Sequence, residues 1–367
     1  MCSWTNSAVR GDEAAPRERA LIEYLLRQRP TVRPYNRCGG DPGPVSPLEG
    51  VPPLDTASPV VRSTTEYAPG LLLDIVRPWH STRRPLAAIV WLHGGGWRLQ
   101  DRTACPDLVR HYASHDFVMV SVDYRLAPTT THPGQLFDIR RAVRWLRVNG
   151  AEYGIDPDRI GVWGSSAGGH LAALTGVHSG VLRLPGEEEV SVSSAVAAVM
   201  DGYGAADLPA MVDLTGQQAP RDHDSPEAGL LGGAIRDKLD SAVSASPARQ
   251  VNGGTPPFLI MHGLADNLVP PSQSVAMYNA LAAHGNDATL YLIEGFGHGF
   301  LNPGDVLELG PDQHLDQGRL EREPTARAQI RTTTEAGADL AERHPCASFS
   351  AIADFFARTL KAGQCRS

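Results

Sequence analysis

One short stretch, Arg159-Ile160-Gly161-Val162-Trp163-Gly164-Ser165-Ser166-Ala167-Gly168-Gly169-His170, carries the clearest chemical signal in the chain. An apolar run enters a Gly-x-Ser-x-Gly turn and leaves it through small residues, Ala167 to Ala173. That is the pattern of a sharp strand-to-helix elbow, which holds a serine hydroxyl above the end of a sheet. Side chains at Gly164 and Gly168 would collide across such a turn. Ser166 has these glycines two places to either side, whereas Ser165 has Trp163 and Ala167. Ser166 is therefore the candidate nucleophile.

A serine hydroxyl is a weak nucleophile near neutral pH and needs a base, an acid to orient that base, and donors for the developing oxyanion. After an elbow of this kind the acid and then the histidine follow along the chain. His298, in Gly297-His298-Gly299-Phe300, is the candidate base, because flanking glycines let a loop carry the imidazole over the sheet edge. The other histidines fit less well: His170 lies one helical turn past the elbow, His93 belongs to a glycine loop, and His262 sits just inside a strand end. Asp266 follows that strand closely, in His262-Gly263-Leu264-Ala265-Asp266, and leaves room for one helix and one strand before His298. It is the candidate acid, with Asp201 at the end of an earlier strand as its rival. His93-Gly94-Gly95-Gly96 supplies the last part, since backbone N–H groups reach an oxyanion only where no side chain intrudes. Gly95 and Gly96, with Gly94 as a further candidate, and Ala167 beside the nucleophile are the expected donors. His93 is expected to pack or hydrogen-bond in support of that loop. Trp97 and Ser165 are candidate pocket residues, although an anchoring role in the core suits Trp97 equally.

The elements that must position these groups follow a regular rhythm. Strands are expected at Val60 to Tyr67, Leu71 to Val76, Ala87 to Leu92, Phe117 to Val122, the run into the elbow, Ser194 to Met200, Pro257 to Met261 and Ala288 to Ile293. Helical patterns lie at Pro106 to Ser114, Gln135 to Val148, Ser274 to His284 and Ser348 to Leu360, and Gly154 to Asp158 reads as a turn. Continuous apolar strands alternating with helices predict a mostly parallel sheet covered on both faces. Function in such sheets collects at the carboxyl ends of the strands, where His93, Ser166, Asp201 and His262 fall. Residues 1–59 read as a Pro-rich, partly disordered leader, with helical character at Ala20 to Gln28. Residues 60–367 read as one catalytic domain with insertions at about 204–254 and 302–345, either able to form a lid.

Composition narrows the function further. A formal charge of −8 and scattered arginines argue against nucleic acid or an anionic membrane surface as the main partner. Five cysteines without Cys-x-x-Cys spacing argue against a disulfide framework or a zinc site. Charged residues at Asp12, Glu13, Arg17, Glu18 and Arg19 stand where a signal peptide would be apolar, and no apolar run is long enough to span a membrane. A cytoplasmic protein is expected.

The stretches His93 to Trp97, Asp123-Tyr124-Arg125-Leu126-Ala127-Pro128, Gly164 to His170, Pro256 to Gly263 and Gly297 to Phe300 together resemble α/β-hydrolase esterases. The similar groups are the ferulic-acid-esterase-like (BD-FAE) and hormone-sensitive-lipase-related ones. The latter usually has Asp before the nucleophile, so Ser165 leans toward the former. The resemblance implies an α/β-hydrolase fold: a mostly parallel eight-stranded sheet with helices on both faces and lid insertions. It implies a serine carboxylic ester hydrolase with triad Ser166, Asp266 and His298, no metal and no organic cofactor. Asp123 to Pro128 is scaffold beside the oxyanion loop in such proteins. The expected partner is a small or medium acyl ester, with a homodimer left open. The alternatives are an amidase, formamidase or peptidase of the same fold, and a non-catalytic ligand-binding homologue. The leader and 302–345 lie outside the resemblance.

Overall fold

A computed structural model describes residues 60–79, 81, 84–188, 190–214, 224–303 and 315–361. The leader and its helical pattern lie outside these residues. An antiparallel hairpin comes first, β1 (Val60–Ala68) and β2 (Leu71–Pro78). In β2, Leu71, Leu73 and Ile75 alternate inward, as expected of a half-buried strand. Then β3 (Leu86–Leu92), β4 (Val118–Val122), β5 (Ile155–Ser165), β6 (Ala198–Gly202), β7 (Phe258–Gly263) and β8 (Ala288–Ile293) lie parallel to one another. Except for the start of β5, their residues are buried throughout, the consequence of helices on both faces. The strand order is β1-β2-β4-β3-β5-β6-β7-β8, continued by β9 (Ala326–Thr332) and β10 (Cys346–Ala347). The expected mostly parallel α/β-hydrolase sheet is present, with ten strands rather than eight.

Strand β9 extends the sheet and is followed by a helix, which corrects the reading of 302–345 as a lid or surface insertion for residues 326–343. β9 pairs antiparallel with β8, and the helix Glu335–Arg343, capped by the Thr334 hydroxyl on the Gly337 N–H, packs beside them. The segment reads as polar because β9 is a half-exposed strand near the sheet edge, whose Arg327 and Gln329 face outward. Residues 304–314 of that segment are outside the described ones. Two smaller corrections have local causes. The helix expected at Pro106 to Ser114 divides into Leu108–His111, started by the Asp107 carboxylate on two backbone N–H groups, and a 3₁₀ turn at Ala113–His115. The turn expected at Gly154 to Asp158 is already strand from Ile155, with an irregular register against β3.

The helix Ala167–Val177 is buried on every side, which its Ala, Gly and Leu content permits. On the opposite face the amphipathic helix Phe349–Lys361 packs Phe355 and Phe356 into a cluster with Trp91, Trp163, Tyr112 and Met200. Truncating either phenylalanine to alanine would cost about 3–5 kcal/mol. Within the first insertion, helices Leu208–Leu214, Pro226–Leu231 and Leu239–Ser244 fold over the carboxyl end of the sheet. They are tied there by His132 N–H to Leu230 O and by His170 Nε2–H to Ala245 O. Among the described residues no helix is long and apolar enough to cross a membrane.

Candidate active site

Sheet register brings the candidate residues to one edge. Leu92 is level with Gly164, Gly164 with Asp201, Ser165 with Gly202, and Gly202 with Met261. Each loop leaving these strands therefore starts at the same height. At the elbow Ser166 has φ 54° and ψ −118°, a conformation costly for a non-glycine residue, and its amide is held by Gly202 O at 2.7 Å. The glycines permit it sterically. A Cβ on Gly164 would lie 2.3 Å from the Gly168 carbonyl, and one on Gly168 would lie 2.0 Å from Leu92 O.

His298 and Asp266 meet this hydroxyl as the sequence predicts. His298 Nε2 is 2.8 Å from Ser166 Oγ, and its Nδ1 is 2.6 Å from Asp266 Oδ2. The carboxylate can only accept, so Nδ1 carries the proton and Nε2 is left to take one from the serine. Asp266 Oδ1 accepts from the backbone N–H of Leu268 at 2.9 Å and of Val269 at 3.0 Å, which fixes its plane. Burial alone would raise its pKa; the His298 imidazole and hydrogen bonds from His262 and His298 outweigh that and hold it well below the usual carboxylate range. Tyr203, fully buried, packs its ring against the His298 ring at 4.7 Å.

The glycine loop turns with φ of 94° at Gly95, 58° at Gly96 and 59° at Trp97. Gly95 O accepts from Arg98 and Leu99 N–H, whereas among the described residues the N–H groups of Gly94, Gly95 and Gly96 donate to no other part of the fold. Ala167 N–H, at the first position of the elbow helix, has no intrahelical acceptor either. His93 supports the loop as expected: its Nδ1 bonds Gly94 O at 2.9 Å and its ring stacks on Tyr124 at 4.2 Å. The Tyr124 hydroxyl donates to His93 O, and Ala127 N–H to Trp97 O, so Asp123 to Pro128 is scaffold for this loop. Burial lowers the His93 pKa to about 4, so its ring stays neutral near pH 7.

Three residues belong elsewhere than their pocket or rival roles. Trp97 is 4% exposed and donates its indole N–H to His170 Nδ1 at 3.0 Å, so it anchors the glycine loop rather than lining a pocket. The other nitrogen of His170 donates to Ala245 O at 2.7 Å, joining elbow helix, glycine loop and insertion. Ser165 is fully buried and donates to Asn302 Oδ1 at 3.1 Å, which ties the elbow to the loop after His298 and removes it from the pocket. Asp201 accepts from Gly204 N–H at 2.9 Å and makes no bond to any histidine. Sequence reasoning missed Tyr203 and Asn302, whose roles depend on loops meeting in space. It passed over His262, although its place in His262-Gly263 ahead of the acid was a visible signal. A set such as Ser166, His298 and Asp266 can support nucleophilic attack by the serine hydroxyl.

Similarity to known proteins agrees with this geometry. The BD-FAE family model matches residues 73–281, more than half of the chain. The chain is 31% identical to Esterase LipC of Mycobacterium tuberculosis over 71% of its own length and 64% of LipC. It superposes on a truncated carbohydrate esterase from gut microbiota with TM-score 0.56 at 34% identity, covering 62% of this chain and 83% of that one. It also superposes on Thermogutta terrifontis esterase 2 phosphoramylated by tabun, with TM-score 0.52 at 27% identity, covering 68% and 88%. The chain spans between half and two thirds of the length of the first curated relatives it matches. It belongs to the BD-FAE family.

Proposed function

We propose that this member of the BD-FAE family is a serine carboxylic ester hydrolase acting on small or medium acyl esters. The observation that carries the proposal is the unbroken relay Asp266–His298–Ser166, with bonds of 2.6 and 2.8 Å, above a strained elbow. Ser166 Oγ attacks the ester carbonyl while its proton passes to His298 Nε2, and Asp266 stabilises the imidazolium. The oxyanion takes hydrogen bonds from the glycine loop, Gly95 and Gly96 foremost, and from Ala167 N–H. Collapse of the tetrahedral adduct breaks the bond to the alcohol oxygen, which leaves with the proton from His298. Water, deprotonated by the same imidazole, then releases the acid and restores the serine.

No metal or organic cofactor enters these steps. A cytoplasmic setting is part of the proposal, in keeping with five cysteines that carry no Cys-x-x-Cys spacing. The deciding experiment is Ser166→Ala assayed on p-nitrophenyl esters of increasing acyl length. Turnover should fall on the order of 10⁶-fold, and labelling by a fluorophosphonate should stop. Activity unchanged in that variant would dismiss the mechanism. Hydrolysis of anilides in preference to esters by the parent enzyme would move the assignment to amides.

A further inference from the structure

We infer that His262 is a positioning residue that sets the basicity of His298 by sharing the Asp266 carboxylate; this rests on the triad proposed above. The ring of His262 is fully buried at the carboxyl end of β7. Its Nε2 lies 2.8 Å from Val269 O and 3.3 Å from Asp266 Oδ2. Both neighbours are acceptors, so Nε2 carries a proton, which bonds Val269 O and faces the carboxylate. Its Nδ1 lies 2.7 Å from Ser274 Oγ, whose hydroxyl donates to it. A proton on Nε2 and an acceptor at Nδ1 thus satisfy both nitrogens of the ring, which joins β7, the acid loop and the helix Ser272–Ala283.

The consequence falls on Asp266. Its Oδ2 accepts the His298 N–H at 2.6 Å, and the His262 Nε2–H, bonded to Val269 O, faces the same oxygen from 3.3 Å. A second donor spreads the negative charge that stabilises the His298 imidazolium during catalysis. Removing that donor concentrates the charge on the His298 bond and raises the pKa of the base. The acid limb of the rate profile then moves to higher pH, because the base must be unprotonated to act. Among the described residues, Asp201 from β6 and the Tyr203 phenol, whose ring stands 6.5 Å away, also face His262, and the Asp316 carboxylate accepts from Gly297 N–H beside His298. Asp201 is buried and its pKa is raised to about 6 by that burial, so it titrates where the base is read. The measurement is therefore repeated in an Asp201→Asn background.

Two side chains of opposite reach make the test. A glutamine amide at 262 extends to the place of Nε2 and keeps the donor, whereas an asparagine amide reaches only the place of Nδ1. The kcat/KM profile of the full chain on p-nitrophenyl acetate is recorded for both. His262→Asn should move the acid limb up by about half to one pH unit, and His262→Gln should hold it within about 0.2 unit of the parent. Equal limbs in both variants, with or without a loss of kcat, would overturn the inference and leave His262 a packing residue. A second readout uses the unmutated protein and does not depend on a variant folding. Imidazole ¹⁵N–¹H spectra near neutral pH should place a single proton of His262 on Nε2; a proton on Nδ1 would also overturn it. Ser166→Ala separates the two levels: persistent activity there defeats the triad itself, while an inactive Ser166→Ala with an unmoved limb in His262→Asn defeats only the role of His262.

Discussion

Replacing Asp266 with asparagine exchanges one carboxylate oxygen for an NH₂ group, and the surrounding hydrogen bonds decide which oxygen that is. Oδ1 is held by two donors, the N–H groups of Leu268 and Val269 at 2.9 and 3.0 Å. An NH₂ there would oppose two backbone N–H groups that cannot change tautomer, so the amide oxygen takes that place and the NH₂ takes the place of Oδ2. There His298 can switch tautomer, and the longer contact to His262, whose N–H is bonded to Val269 O, is lost. The NH₂ then points at His298 Nδ1, 2.6 Å away. His298 can only answer by accepting at Nδ1, which sends its proton to Nε2, the atom 2.8 Å from Ser166 Oγ. A nitrogen already protonated cannot take the serine proton. Loss of the correct tautomer in a serine-histidine-acid triad lowers kcat about 10⁴-fold. That corresponds to about 5.4 kcal/mol of transition-state stabilisation. KM should change far less, because the substrate does not touch Asp266 in this mechanism. Steady-state kinetics on p-nitrophenyl acetate, with Asp201→Asn measured in parallel, provide the check. Retention of more than about a tenth of kcat in Asp266→Asn would refute the tautomer argument. A larger loss in Asp201→Asn than in Asp266→Asn would transfer the acid to β6.

Two further outcomes test the neighbours of this relay. Asp201 has its pKa raised from 3.8 to about 6 by burial, so between those values the folded protein keeps a proton that the unfolded chain releases. The Asp201 contribution to stability then falls as pH rises through that window, by up to about 3 kcal/mol, and stays level above it. Buried histidines such as His93 and His170, whose pKa values are lowered, contribute the opposite slope. Asp201→Asn should remove the Asp201 contribution, so its stability difference from the parent should shift by about that amount between pH 4 and pH 8 in urea unfolding; a difference that does not change with pH would contradict the burial argument. Ser165→Ala removes the donor to Asn302 Oδ1 and should cost about 1–3 kcal/mol in thermal or urea unfolding, since a buried acceptor is left unmet. Its turnover should stay within about tenfold of the parent, as for loss of a contact away from the reacting atoms. An inactive, folded Ser165→Ala would reopen the choice between the two serines.

Much of this protein was decided by local pattern. Apolar runs that must be buried on both faces read as parallel strands, and Ser166 was separable from Ser165 because only its flanking glycines allow the elbow to close. The order of serine, acid and histidine was legible because each follows its own strand, and sheet register brings strand ends to one level. Other features needed the tertiary structure. β9 is a polar strand next to the sheet edge, and its pairing is satisfied by β8 rather than by any pattern of its own. Trp97 as an anchor, Ser165 as a tie to Asn302, and the convergence of His262 and His298 on one carboxylate oxygen all join residues far apart in the chain. A sequence states which groups are present and how the chain turns near each of them. Which nitrogen holds a proton, and which buried polar atom meets which partner, is set by the distances that packing imposes across the fold.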